Sequence, residues 1–138
     1  MMSNQDKNDF FGKPIYIYTR AQALEDGELV DVTGMAKKAG FKIPVAVTRA
    51  VWTEYIEWTD EDTNKQTIQD QSGRLWDVLW MLYVACKRSK GESSLCYGLH
   101  VIPRNGHAKS TMMIKLKSVI GGGDNGEPVI TIMLPNED

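Results

Sequence analysis

The run Gly121-Gly-Gly-Asp-Asn-Gly-Glu-Pro-Val-Ile-Thr-Ile-Met-Leu-Pro-Asn-Glu-Asp138 constrains the fold more than any other part of the chain. Glycines and an Asp-Asn-Gly turn lead straight into the β-branched apolar segment 129–134. A strand that apolar has to be buried, so this end is expected to belong to the fold and not to a loose tail. Two more strands precede it. In 95–102, Leu95, Tyr97, Leu99 and Val101 alternate onto one face. In 111–120, Met112, Ile114 and Leu116 share one face, with Lys115 and Lys117 on the other. Arg104-Asn-Gly106 and Asp124-Asn-Gly126 are turn sequences, and strands joined by short turns predict an antiparallel meander.

The helices are read from caps and spacing. Residues 74–88 form the main one. Leu75, Val78, Leu79, Leu82 and Cys86 make one stripe, and Trp76, Trp80 and Tyr83 a second, which predicts burial on nearly all sides. Thr48, Val51, Trp52, Tyr55 and Ile56 fall on one face of an amphipathic helix starting near Pro44, where proline suits a first helical turn. Ile15-Tyr-Ile-Tyr18 reads as a short strand. Thr19 and Gln22 make a capping box for a short helix ended by Gly27. Segment 28–32 alternates, as a short strand or an extended connector. Thr33 is expected as the N-cap of a second short helix, closed by Gly40. Residues 59–73 read as a polar loop with room for one helical turn. The fold class is therefore α+β: a C-terminal three-strand meander, with a short N-terminal strand, packed on two main helices. Residues 1–12 are polar and expected to be flexible, and 13–138 form a single domain.

The charge balance excludes some functions. A net charge of −2 argues against a non-specific nucleic-acid binder, which carries a basic face. The polar N-terminus has no signal-peptide pattern, and no apolar run is long enough to span a bilayer, so a cytoplasmic protein is expected. Cys86 and Cys96 make no disulfide framework. With His100 and His107 they give a spacing that fits no zinc pattern. Neither histidine lies near the signature of an activated nucleophile. Gly121–Gly123 lacks the Lys-Ser/Thr and the helix of a phosphate loop, so a flexible connector with left-handed positions is the plainer reading. No cofactor is expected.

Three weaker constellations remain. Asp124, Glu127 and Asp138 would form a divalent-metal site for phosphoester chemistry if they met in space; idle surface charge is the plainer reading. Asp77 interrupts an otherwise apolar helix and needs a partner, with Arg74, Arg88 or Arg49 in reach. Alternatively it lines a ligand pocket with Trp76 and Trp80. Arg20, Arg49, Arg104, Lys115 and Lys117 are the candidate anion binders.

Tyr18-Thr-Arg-Ala-Gln-Ala-Leu, Thr48-Arg-Ala-Val-Trp52, Gly73-Arg-Leu-Trp-Asp-Val-Leu-Trp80 and Gly126-Glu-Pro-Val-Ile-Thr-Ile-Met-Leu-Pro135 together resemble a family of small proteins classed as a domain of unknown function. Its members are carried on bacterial plasmids, phages and prophages. The resemblance brings no catalytic residues. It implies genomic company rich in short proteins that blunt host defences. The expected function is thus a non-enzymatic antagonist of an anti-phage or anti-plasmid defence system, binding a defence protein or sequestering a nucleotide signal. The alternatives are the metal-dependent hydrolase or nuclease, and a housekeeping factor of the mobile element that works as a homo-oligomer or with a partner from that element.

Overall fold

The computed structural model describes residues 18–138. The predicted strand at Ile15–Tyr18 lies outside them except for its last residue. The chain is α+β, and its strands form one five-stranded sheet in the order β1-β2-β5-β4-β3.

Helix α1 (Arg20–Asp26) starts at the predicted capping box and ends at Gly27, whose φ of 81° is the left-handed geometry that glycine adopts without strain. Strand β1 (Leu29–Asp31) follows, then α2 (Thr33–Ala39). Val32, not Thr33, occupies the N-cap of α2. Thr33 is instead held by Asp31, whose carboxylate accepts from both its amide and its hydroxyl.

The segment after Pro44 departs from expectation. Val45–Thr48 is strand β2, and the helix begins only at Arg49, capped by the Thr48 hydroxyl. Pro44 therefore sits at a strand start, and Val45, Ala46 and Val47 are buried on both faces of the sheet. The deciding partner is remote: β2 pairs in parallel with β5, with Val45 opposite Ile130 and Val47 opposite Ile132. Helix α3 starts as a single turn, Arg49–Val51, and widens into π geometry over Trp52–Ile56. Helix α4 (Asp60–Lys65) is the helical turn within the polar segment, capped by Thr59. Helix α5 (Gln71–Arg88) starts earlier than its apolar pattern, because the Asp70 side chain caps Gly73.

The meander is present as predicted: β3 (Ser94–Val101), β4 (Met112–Gly122) and β5 (Pro128–Met133) pair antiparallel in sequence. Gly121 and Gly122 belong to β4 and pair with β5. Of this glycine-rich stretch only Gly126 has a positive φ, 82°. The core lies between one sheet face and α2, α3 and α5. It is built on Val45, Val47, Ile130, Ile132, Leu116, Tyr97 and Leu99 from the sheet and on Val78, Leu79 and Leu82 from α5. The other face is closed over β2 and β5, where Arg20 of α1 reaches Thr131 and Ala46, Val129 and Met133 are buried. Over β3 and β4 it is open, with Cys96, His100, Met113 and Lys115 exposed. The C-terminal residues are held to the sheet. The Glu137 carboxylate accepts from the Thr48 hydroxyl and the Leu134 amide, and its carbonyl accepts from Lys117.

Candidate functional site: an aromatic row on helix α5

At about 100° per residue, α5 divides into three rows. One is the core row, Leu75, Val78, Leu79 and Leu82. A second carries Trp76, Trp80, Tyr83 and Lys87. A third carries Asp77, Met81, Val84 and Arg88. Only the first is buried throughout: Trp80 is 41% exposed, and Met81, Asp77, Lys87 and Arg88 are also exposed. The expectation of an all-round buried helix fails because nothing among the described residues covers its outer side.

The second row is a stack. Trp76 and Trp80 lie with centroids 5.8 Å apart and planes 8° from parallel; Trp80 and Tyr83 follow at 5.4 Å and 16°. Phe41, just after α2, meets Tyr83 edge-on at 5.7 Å, and the Lys87 ammonium sits 5.2 Å from the Tyr83 ring centre. Gly40 makes this seat possible. Its φ is 118°, and a Cβ there would fall 2.6 Å from Tyr83 Cε1. Tyr83 is thus held against the end of α2, and each ring fixes the next. Such a row presents rigid aromatic area with little rotamer freedom left to lose on contact.

Asp77 does not need the buried partner expected for it. It is exposed on the neighbouring row; partial burial raises its carboxyl pKa, and the charge of Arg74 pulls the other way. The buried charge on this helix is Arg74. Its Nε donates to the Ile56 carbonyl at 3.1 Å, and its Nη1 to the Ile102 carbonyl at 3.0 Å and to Gln69 Oε1 at 3.2 Å. Its guanidinium lies 4.6 Å from the centre of the Trp58 ring. Burial lowers its pKa to about 10, and the nearby Arg104 adds to the effect.

The candidate anion binders do not converge. Arg20 reaches Thr131 Oγ1 at 2.7 Å and the Ile130 carbonyl at 3.0 Å, and burial lowers its pKa against the pull of Asp124. Arg49 bonds the Asp26 carbonyl and pairs with Glu28. Arg104 is engaged by Asp62 at 2.8 Å, Glu57 at 3.3 Å and the Thr53 carbonyl at 2.8 Å. Lys117 holds the Glu137 carbonyl, which leaves Lys115 exposed beside it on the open sheet face.

The metal site does not assemble. Both Asp124 oxygens accept backbone N–H groups of α1, from Arg20 at 2.8 Å and Ala21 at 3.0 Å, so this carboxylate caps a helix from a distant turn. Glu127 folds onto the Asn125 amide within its own turn. Among the described residues no three His, Cys, Asp or Glu side chains are placed to hold an ion, Asp138, Cys86, Cys96, His100 and His107 included.

The sequence pattern grouped Tyr83 with Trp76 and Trp80 but was read as a buried stripe, and Phe41 and Lys87 were missed as parts of the same surface. The available signal was the i, i+4, i+7, i+11 spacing of Trp76, Trp80, Tyr83 and Lys87, offset from the core stripe and bordered by Asp77 and Arg88.

A family model described as a family of unknown function (DUF6573) matches residues 7–138. The chain belongs to this family. No curated protein and no solved structure matches it. Among the described residues no helix is long and apolar enough to cross a membrane.

Proposed function

We propose that this protein is a non-enzymatic antagonist of a bacterial defence system, acting in the host cytoplasm by binding a defence protein through the aromatic row of α5. The observation that carries the binding reading is the mutually stacked Trp76–Trp80–Tyr83 row, exposed at Trp80 and half-buried at Trp76 and Tyr83, with the exposed Lys87 at its end. Interface hot spots are enriched in Trp, Tyr and Arg, and rigid aromatic anchors lose little entropy on docking. The choice of target, a defence protein, rests on the mobile-element company that the family resemblance implies. Sequestration of a nucleotide signal is less well supported, because Arg20, Arg49, Arg104 and Lys117 are each engaged by protein groups. The hydrolase alternative has no assembled carboxylate site among the described residues to act through.

The test is phage plating efficiency on hosts that each carry one defence system, with and without this protein expressed. Restored plating on one system is the expected result. Restriction unchanged on every system, with the protein soluble and folded in the cells, would overturn the proposal.

A further inference from the structure

Strand β3 is an end strand of the sheet, and among the described residues its free side is not protected in the usual ways. Natural edges are blunted by lysine, proline, bulges or a covering loop. Ser94–Val101 contains neither lysine nor proline and pairs with β4 without interruption from Ser94–Val119 to Val101–Met112. The Ile120 amide donates to the Ser93 carbonyl at 2.7 Å, which sets the phase of the ladder. Leu95, Tyr97, Leu99 and Val101 are then the residues bonded to β4. The amides and carbonyls of Ser94, Cys96, Gly98 and His100 point away from the sheet. Among the described residues nothing accepts from or donates to them.

Beside this edge runs the third row of α5. A hollow of about 570 Å³ lies between Met81, Val84, Ala85 and Arg88 on the helix and the Ser94–Gly98 end of the strand. A second, of about 260 Å³, continues it between Asp77, Met81, Gly98 and His100. Helix and strand therefore run in opposite directions along one groove. Its middle is apolar; Arg88 lies at one end with Glu92 beside it, and Asp77 lies at the other.

We propose that this groove is the seam of a homodimer in which β3 pairs antiparallel with β3 of a second copy. The surface is complementary to itself. A two-fold axis at Tyr97 sets Ser94 opposite His100 and Cys96 opposite Gly98 of the partner subunit, so every outward backbone group of the strand finds a partner. The same rotation brings Arg88 against Asp77 of the partner subunit, and Met81 and Val84 against the same apolar stretch. An isologous interface requires this matching of a surface with itself. The aromatic row lies on the other flank of α5, outside this seam, so the dimer presents Trp80 twice. The inference stands apart from the antagonist reading.

Sedimentation velocity on the full chain, over a series reaching roughly millimolar, tests it. The wild type is expected to sediment at twice its 15.5 kDa. Cys96→Pro removes an outward N–H and no β4 bond, so it should be monomeric with an unchanged far-UV spectrum. Arg88→Asp should raise the dimer dissociation constant by about tenfold or more. Adding Asp77→Arg to it should restore the dimer; this pair decides the matter should Cys96→Pro fail to fold. A monomeric wild type throughout would overturn the proposal, and so would a dimer indifferent to Arg88→Asp. Either result would return the edge to an extended segment of another protein.

Discussion

Arg74→Met should destabilise the protein by about 2 kcal/mol. The guanidinium joins three segments that are distant in sequence: the end of α3 through Ile56, the end of β3 through Ile102, and the turn before α5 through Gln69. Removing it leaves the Ile56 and Ile102 carbonyls short of a donor, at about 1–3 kcal/mol each for a buried group. The contact with Trp58 adds about 1 kcal/mol. Set against this is the cost of keeping a cation 5% exposed. The lowering of its pKa to about 10 from the ordinary guanidinium value corresponds to about 3 kcal/mol at 1.36 kcal/mol per unit, which methionine removes. About 5 kcal/mol lost and about 3 recovered leaves about 2. In urea denaturation that is a midpoint lower by about 1 M for a slope near 2 kcal/mol/M. Arg74→Lys reaches one carbonyl at most and should not recover the wild-type midpoint. A methionine variant as stable as the wild type would show that the buried charge costs as much as its bonds return, and would refute the account of Arg74 as a net fastener.

Three further outcomes follow from the same contacts. Tyr97 is buried and donates to the Val78 carbonyl at 3.0 Å, and burial holds its phenol pKa far above the ordinary value. Its contribution is complete below pH about 10 and is lost as the unfolded chain ionises above that. Tyr97→Phe should cost about 1 kcal/mol at neutral pH and flatten the alkaline loss of stability in pH-dependent urea melts. Burial raises the Asp62 pKa, but the Thr59 amide and hydroxyl and Arg104 outweigh it, and the net shift is downward. Its contribution is therefore present above pH about 4 and fades as pH falls below it, so Asp62→Asn should remove that part of the acid dependence while costing about 1 kcal/mol at pH 7. Gly40→Ala forces a left-handed backbone on alanine and pushes Tyr83 from its seat. It should lower stability by about 1–2 kcal/mol and reduce the near-UV circular dichroism of the ring stack.

Much of the fold was legible because its signals are local. Thr19 with Gln22, Gly27 and Gly40 mark helix ends through bonds that span a few residues, and the meander announces itself by alternation and Asn-Gly turns. Segment Val45–Thr48 was not legible in the same way. A proline followed by four residues suits a helix start or a strand, and the choice is made by β5, some eighty residues away, which no local pattern contains. The site was half legible. Trp76 and Trp80 were named, but aromatic residues argue for burial, so the exposure of Trp80 and of Asp77 was read the wrong way round. Arg74 drew attention only as a partner for Asp77, because its bonds run to backbone carbonyls that leave no trace in side-chain identity. Asp124 looked like a ligand because its role, capping α1 from the far end of the chain, depends wholly on tertiary placement.

Binding of a protein partner by the stacked row on α5 is tested by repeating the plating assay with Trp80→Ala on any defence system against which the wild type is found to restore plating. Trp80 is 41% exposed but stacks on both Trp76 and Tyr83, so its loss should cost the fold about 2–3 kcal/mol, and a thermal melt checks that the variant stays folded at the assay temperature. Truncating a hot-spot tryptophan costs about 2 kcal/mol or more of binding, or roughly a thirtyfold loss of affinity. The account predicts that the folded variant no longer restores plating at expression levels where the wild type does. Full rescue by a folded Trp80→Ala protein at matched, limiting expression would contradict it.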